Sequence, residues 1–370
     1  MQKLENSREG KLEKFKTILY SSVIGIFVGG IFSLIFFHIS LESIIEGMSM
    51  GFLVFALISS FEVFIFRPRY RKLKFSDILI SRLVFYIAAV SFSVLFVWVL
   101  NEARDNDIGF FTVIKSGQIT DFVLRDAFLR ILIFAVVVSA LVIYISQMNY
   151  LLGQNVLKRY LSGKYHKPVE EERFFMFLDL TSSTTIAERI APIEYHKFMN
   201  NYFLDVNDPI VESKGEIFQY AGDQVVVTWT KKSGIKKANC IGCFFKVKNK
   251  LEALEESYIE RYSIVPRIKA GLHFGKVIVG EVGDSKKEIV YHGDVINTAS
   301  RIQEECNALN RSFLVSKEVI DILDMPDKYA NELMGRFLLK GKEQEVEIYS
   351  IDEKRSEKII TTNEQIAENA

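Results

Sequence analysis

Four long apolar runs fill the first 150 residues, at 17–39, 44–66, 78–100 and 128–150. A helix needs about 20 mostly apolar residues to cross a bilayer, and each run meets that length. Helices in soluble cores are rarely apolar on every face for so long. The pattern predicts a domain of four transmembrane helices over 17–150, behind a short segment 1–16. The first run is too long for the apolar part of a cleaved signal peptide, and no small-residue cleavage site follows it.

Charge orients the spans. Lys3, Arg8, Lys11, Lys14 and Lys16 precede the first, and Arg67, Arg69, Arg71, Lys72 and Lys74 separate the second from the third. Lys158, Arg159 and Lys164 follow the fourth, whereas 40–43 carries only Glu42 and 101–127 has five acids against three bases. The positive-inside rule then predicts a multi-pass protein of the inner membrane with both termini cytoplasmic. Glu46, Glu62, Arg82 and His38 lie near span ends, where the expectation is that they snorkel to the interface.

Lys plus Arg and Asp plus Glu both total 46, so no global charge draws the chain to nucleic acid. The three cysteines, Cys240, Cys243 and Cys306, lie far from any outward-facing segment, which argues against a disulfide scaffold. Cys240 and Cys243 form a C-x-x-C inside a helical run and read as small core residues.

A helical linker is expected over 151–171. Leu151, Leu152, Val156, Leu157, Tyr160 and Leu161 form a stripe suited either to a second copy or to the chain's own following domain. From 172 to 352 strands and helices mix. Strands are expected at 172–180, 216–220, 223–230, 265–274, 276–282, 312–315, 336–339 and 345–351, with helices at 193–213, 234–262 and 294–309. That order implies an α+β domain with an antiparallel sheet. The polar tail 353–370 is expected to be disordered.

Three sequence signals carry chemistry. Asp179 ends the apolar strand Phe174–Leu178, and Asp223 follows Gly222 at a tight turn, so both acids project where strands stop. Carboxylates at adjacent strand ends suit hard cations such as Mg²⁺. Thr181, Ser182, Ser183 and Thr184 then open a helix, where free backbone N–H groups favour an anion such as a triphosphate, although ordinary N-capping uses the same residues. Asn297 and Arg301 are four apart, hence on one helix face, and present an amide and a guanidinium together. Lys340 offers a further cation in Leu339-Lys340-Gly341-Lys342.

Together these pieces resemble the class III adenylyl and guanylyl cyclase catalytic domain. They are Phe177-Leu178-Asp179, Ala221-Gly222-Asp223, Gly271-Leu272-His273-Phe274-Gly275, Gly293-Asp294 through Asn297-Thr298-Ala299-Ser300-Arg301, and Leu339-Lys340-Gly341. The resemblance implies a ferredoxin-like α+β catalytic domain that works as a homodimer with composite sites. It implies that Asp179 and Asp223, helped by the Leu180 carbonyl, bind two Mg²⁺ (or Mn²⁺) ions. It further implies that residues 181–184 and Lys269 meet the phosphates. Asn297, Arg301 and Lys340 of a second copy then orient the ribose and stabilise charge on the reacting phosphates. The reaction implied is attack of the ribose 3′-oxygen on the α-phosphorus of a nucleoside triphosphate, with pyrophosphate leaving.

The base-reading positions depart from the pattern. Gln219 stands where Lys (for adenine) or Glu (for guanine) is common, and Val290 stands where Asp, Thr or a Cys-like residue is common. Gln both donates and accepts, and it lacks the fixed acceptor character of Glu, which favours ATP over GTP. The alternatives are a guanylate cyclase, an inactive cyclase-like receptor and a transporter with a regulatory domain. A diguanylate cyclase is argued against by the lack of a Gly-Gly-Asp/Glu-Glu-Phe signature.

Overall fold

The computed structural model describes residues 8–36, 40–66, 75–124, 126–153 and 156–354. The basic cluster 67–74 and the tail from 355 onward lie outside the described residues. The chain divides into two compact units, Met1–Leu151 and Leu152–Ala370.

The first unit is helical: α1 (Arg8–Phe36), α2 (Leu41–Phe61, ending in a π turn Glu62–Phe66), α3 (Phe75–Asp105), the short α4 (Phe110–Lys115) and α5 (Gln118–Val123), and α6 (Asp126–Leu152). Four helical segments among the described residues are long and apolar enough to span a bilayer: Lys14–Ile35, Leu41–Phe66, Ser76–Asp105 and Phe128–Asn149. Glu62 and Arg82 do not snorkel separately. Arg82 is buried and pairs with Glu62 at 2.8 Å, and the Tyr86 hydroxyl donates to the same carboxylate at 2.7 Å. Each charge thus meets its opposite inside the bundle, the usual arrangement for ionisable groups at membrane depth.

The second unit opens with α7 (Val156–Leu161) and β1 (Val169–Leu180). Then follow α8 (Ser183–Arg189), α9 (Pro192–Glu212), β2 (Glu216–Ala221), β3 (Gln224–Thr230), α10 (Lys231–Ile235), α11 (Asn239–Glu252) and α12 (Glu255–Tyr262). The chain continues through β4 (Ile268–Val282), β5 (Glu288–His292), α13 (Asp294–Ala308), β6 (Phe313–Ser316), α14 (Lys317–Ile322), β7 (Tyr329–Phe337) and β8 (Val346–Glu353). The strands form one sheet in the order β2-β3-β1-β4-β6-β8-β7, with β5 added to the far end of β4.

Alternation along β1 builds two layers. Phe174, Met176, Leu178 and Leu180 face α9 and α11, where Phe198, Tyr202, Val206, Ile241 and Phe244 complete the main core. Phe175 and Phe177 face the other way, toward Val295 and Ala299 of α13. This period-two alternation is the ordinary consequence of the pleat.

Several expectations need correction. The sheet is mixed, because β4 and β6 pair in parallel and α13 bridges them; a parallel pair requires such a crossover. The predicted break at Gly275 is absent. β4 runs unbroken through it, and a Cβ there would come within 2.7 Å of Val295 Cγ2, so the glycine makes room for α13. The predicted helix 234–262 is broken at Lys237 and Ala238, both with positive φ, and again at 253–254. The strand expected at 336–339 is longer and earlier, and β5 and α14 had no counterpart in the sequence pattern. The linker helix touches its own unit through polar groups, with Arg159 of α7 reaching both Glu216 oxygens at 2.6 Å and the Tyr160 hydroxyl donating to the Lys287 carbonyl at 2.9 Å, while Leu161 of the apolar stripe stays 80% exposed. All three cysteines are free and buried. Burial pushes the Cys243 thiol up to about 12, which leaves it unreactive.

Candidate active site

Two groups of residues emerge. The first gathers at the end of β1. Leu178 pairs with Val225, so the next positions place Asp179 beside Gln224 and the β2–β3 turn. That turn is two residues, Gly222-Asp223, between paired Ala221 and Gln224, and Gly222 takes φ +65, which a side chain would resist. Asp179 and Asp223 are thereby held close. Burial and then the Asp223 charge lift the Asp179 carboxyl above its ordinary range, against hydrogen bonds from Gln224 and Gln303. The fully buried Tyr202 hydroxyl has no hydrogen-bond partner and is held up by burial and by the charges of the same two acids. Two mutually repelling carboxylates on a rigid strand end and turn are a set of hard oxygen donors that a divalent cation would relieve. Among the described residues no third acid, histidine or cysteine joins them. That fits a cation held by two carboxylates with substrate oxygens and water completing the shell, the habit of Mg²⁺.

Beside this pair the chain turns into α8. Ser182 adopts a left-handed conformation (φ 59°), and no side chain caps the helix. Of the four residues expected to offer backbone donors, Thr181 does not: its N–H is committed to the Arg267 carbonyl at 2.8 Å. Lys269 is the register partner of Asp179 on β4, yet its ammonium hydrogen-bonds the Asn307 side chain on α13.

The second group lies on the opposite face of α13. Asn297 is exposed and the Arg301 side chain is 35% exposed, bonded along its own helix to Glu304. The inward face is Val295, Ala299, Ile302, Gln303 and Cys306, all buried. At 100° per residue, Asn297 and Arg301 point well away from Gln303, the residue that touches Asp179. Lys340 sits in a turn closed by Lys342 N–H to the Leu339 carbonyl at 2.9 Å, with Gly341 at φ +83. Leu339 anchors this turn in the apolar cluster with Ile302, and Lys342 pairs with Asp294 at the start of α13. Lys342, absent from the expected site residues, therefore ties Lys340 to the Asn297–Arg301 helix. The Phe218 and Tyr291 rings, next in the chain to Gln219 and Val290, meet edge to face at 4.9 Å. Gln219 is exposed and lies at a β-bulge.

Sequence reasoning missed two buried polar centres. Arg173, wholly buried, bonds Glu171 at 2.8 Å and Glu216 at 3.3 Å and lies over the Tyr291 ring. It joins β1, β2 and β5. His273 is also buried, with Nδ1 2.7 Å from the Ser316 hydroxyl and Glu318, Lys342 and Asp294 around it. Burial holds its imidazole down at about 4. The unfolded chain takes up this proton near pH 6.5 and the folded chain only near 4, so stability falls as pH is lowered between those values. The expected loss for residues 152–370 is roughly 3 kcal/mol across that window, followed by Trp229 emission in urea. His273→Gln should flatten the slope there, and an unchanged slope would contradict the assignment.

A family model described as Adenylate and Guanylate cyclase catalytic domain matches residues 166–353. Adenylate cyclase 2 of Rhizobium meliloti (strain 1021) is 34% identical over 60% of this chain and 61% of its own length. An adenylate cyclase of Anabaena cylindrica is 27% identical over 48% of this chain and 36% of its own length. The chain thus spans less than two thirds of either relative. A solved bacterial light-regulated adenylyl cyclase shares the fold, with a TM-score of 0.52 at 19% identity over 63% of this chain and 69% of that one.

Proposed function

We propose, from the premise that this chain belongs to the adenylate and guanylate cyclase catalytic-domain family, that it is a membrane-anchored adenylate cyclase working as a homodimer. It would convert ATP to 3′,5′-cyclic AMP and pyrophosphate on the cytoplasmic side of the inner membrane, under the influence of its membrane domain. One observation carries the two-chain form of this reading. α13 turns Gln303 toward its own acid pair and turns Asn297 and Arg301 outward, which supports taking the complementary half of each site from a second copy.

In this scheme Asp179, Asp223 and the Leu180 carbonyl hold two divalent cations, Mg²⁺ or Mn²⁺. Bound there, such ions would neutralise the triphosphate and lower the pKa of the ribose 3′-hydroxyl. The N–H groups of residues 182–184 receive phosphate oxygens at the start of α8, and Lys269 lies near enough to add charge. From the partner, Asn297 orients the ribose, while Arg301 and Lys340 stabilise charge that develops on the reacting phosphates. These groups are fixed in place beforehand, which is the main source of catalytic power in such sites.

Gln219 and Val290 would line the base pocket. An amide that rotates to match adenine's donor–acceptor edge, with no fixed carboxylate acceptor for guanine, supports ATP. The expected result with purified full-length protein is a kcat/KM for ATP about tenfold above that for GTP, the worth of roughly one hydrogen bond. Product chromatography with each triphosphate and each metal tests this. Dominant cyclic GMP would reverse the substrate, and no product from either would favour a catalytically silent receptor.

A further inference from the structure

Gln303 is a long polar side chain on the buried face of α13. It is 3% exposed, among Val295, Ala299, Ile302 and Cys306. Burying an amide there without a partner is costly, and a leucine would fill the space without that demand. Its partner lies 124 residues away: Nε2 donates to Asp179 Oδ2 at 3.0 Å. The helix backbone at this point is pressed onto β4. A Cβ on Gly271 would lie 2.3 Å from the Gln303 N and 2.6 Å from the Ala299 carbonyl. The root of the Gln303 side chain is therefore fixed against β4. Gln224 on β3 meets the same carboxylate from another strand. Both donors are neutral amides, so they orient the carboxylate while leaving its full negative charge for a cation. The cationic neighbour, Lys269, is engaged by Asn307 of the same helix.

We propose that Gln303 is a positioning residue that acts within its own chain, aligning the Asp179 carboxylate for divalent-cation binding while the outer face of the same helix serves the partner's substrate. This rests on the two-chain site proposed above. Outer-sphere hydrogen bonds of this kind typically change metal affinity by about 10–100-fold.

The test uses full-length copies carrying two different tags. One copy is Asn297→Ala/Arg301→Ala and keeps the acids; the other is Asp179→Ala/Asp223→Ala and keeps the amide and guanidinium. Gln303→Leu on the acid-bearing copy should raise the Mn²⁺ concentration for half-maximal activity by about tenfold or more. The same change on the acid-less copy should leave that concentration where it was. In parallel, Mn²⁺ binding to the Gln303→Leu homodimer with 3′-deoxy-ATP, which cannot cyclise, should weaken by about tenfold in electron paramagnetic resonance titrations, without a lowered melting temperature. Equal effects from both copies would mean that the Gln303→Leu change merely loosens α13, and unchanged Mn²⁺ binding would remove the positioning role. If the heterodimer with Gln303 intact is itself inactive, the two-chain site is wrong, and the Mn²⁺ titration alone then decides the role of Gln303.

Discussion

Replacing Asp223 by Ala is expected to lower cyclic AMP formation by the full-length protein on the order of a thousandfold, about 4 kcal/mol of barrier, while the fold survives. The size follows from position. Asp223 stands at the tip of a two-residue turn whose backbone is set by Gly222, not by the Asp side chain. The turn needs no carboxylate to form, so the stability change should stay within about 0.5 kcal/mol. Its sign should be favourable, because Asp223 raises the free energy of the half-buried Asp179 carboxylate nearby. Activity should fall because a cation site with one acid left cannot balance a triphosphate's charge. Melting followed by circular dichroism, with product assays at saturating Mg²⁺ and ATP, separates the two effects. A variant retaining more than about a tenth of wild-type turnover would show that Asp223 is not a cation ligand.

Two inactive proteins should make an active one. Homodimers of Asp179→Ala/Asp223→Ala and homodimers of Asn297→Ala/Arg301→Ala each lack one half of both sites. The purified heterodimer regains one complete site of two, so its expected activity is about half that of wild type, against parents down by on the order of a thousandfold. The expectation comes from α13. Its helical pitch separates the direction of Gln303 from that of Asn297 and Arg301, and Lys342 with Leu339 ties the turn that carries Lys340 to α13. A heterodimer as inactive as its parents would mean that each chain completes its own site.

The parts legible from residues alone were those set by local rules. Four apolar runs announce four spanning helices because the bilayer sets a length. Asp179 stood out because it ends an apolar strand where a loop begins, and Asp223 because a glycine before an acid marks a turn. The segment 234–262 kept helical periodicity across its breaks, since the breaks at Lys237–Ala238 and 253–254 preserve which side chains face the core. The period was correct and the continuity was not. Gly275 misled in the opposite way: a glycine that looks like a turn is there because Val295 of a helix 20 positions later needs the room. Thr181 fits a phosphate-binding run by composition, but its donor is used by the adjoining strand.

By itself the sequence determined the four long apolar helices, the acid pair and the shared face of Asn297 and Arg301, because apolar run length, strand alternation, turn chemistry and helical pitch act over a few residues. Only the tertiary structure decided that β4 and β6 run in parallel, that Lys342 binds Asp294, and that Gln303 grips Asp179. Those outcomes join residues tens to more than a hundred positions apart. No local period encodes them, because burial and the pairing of buried polar groups settle them only once the helix has packed on the sheet.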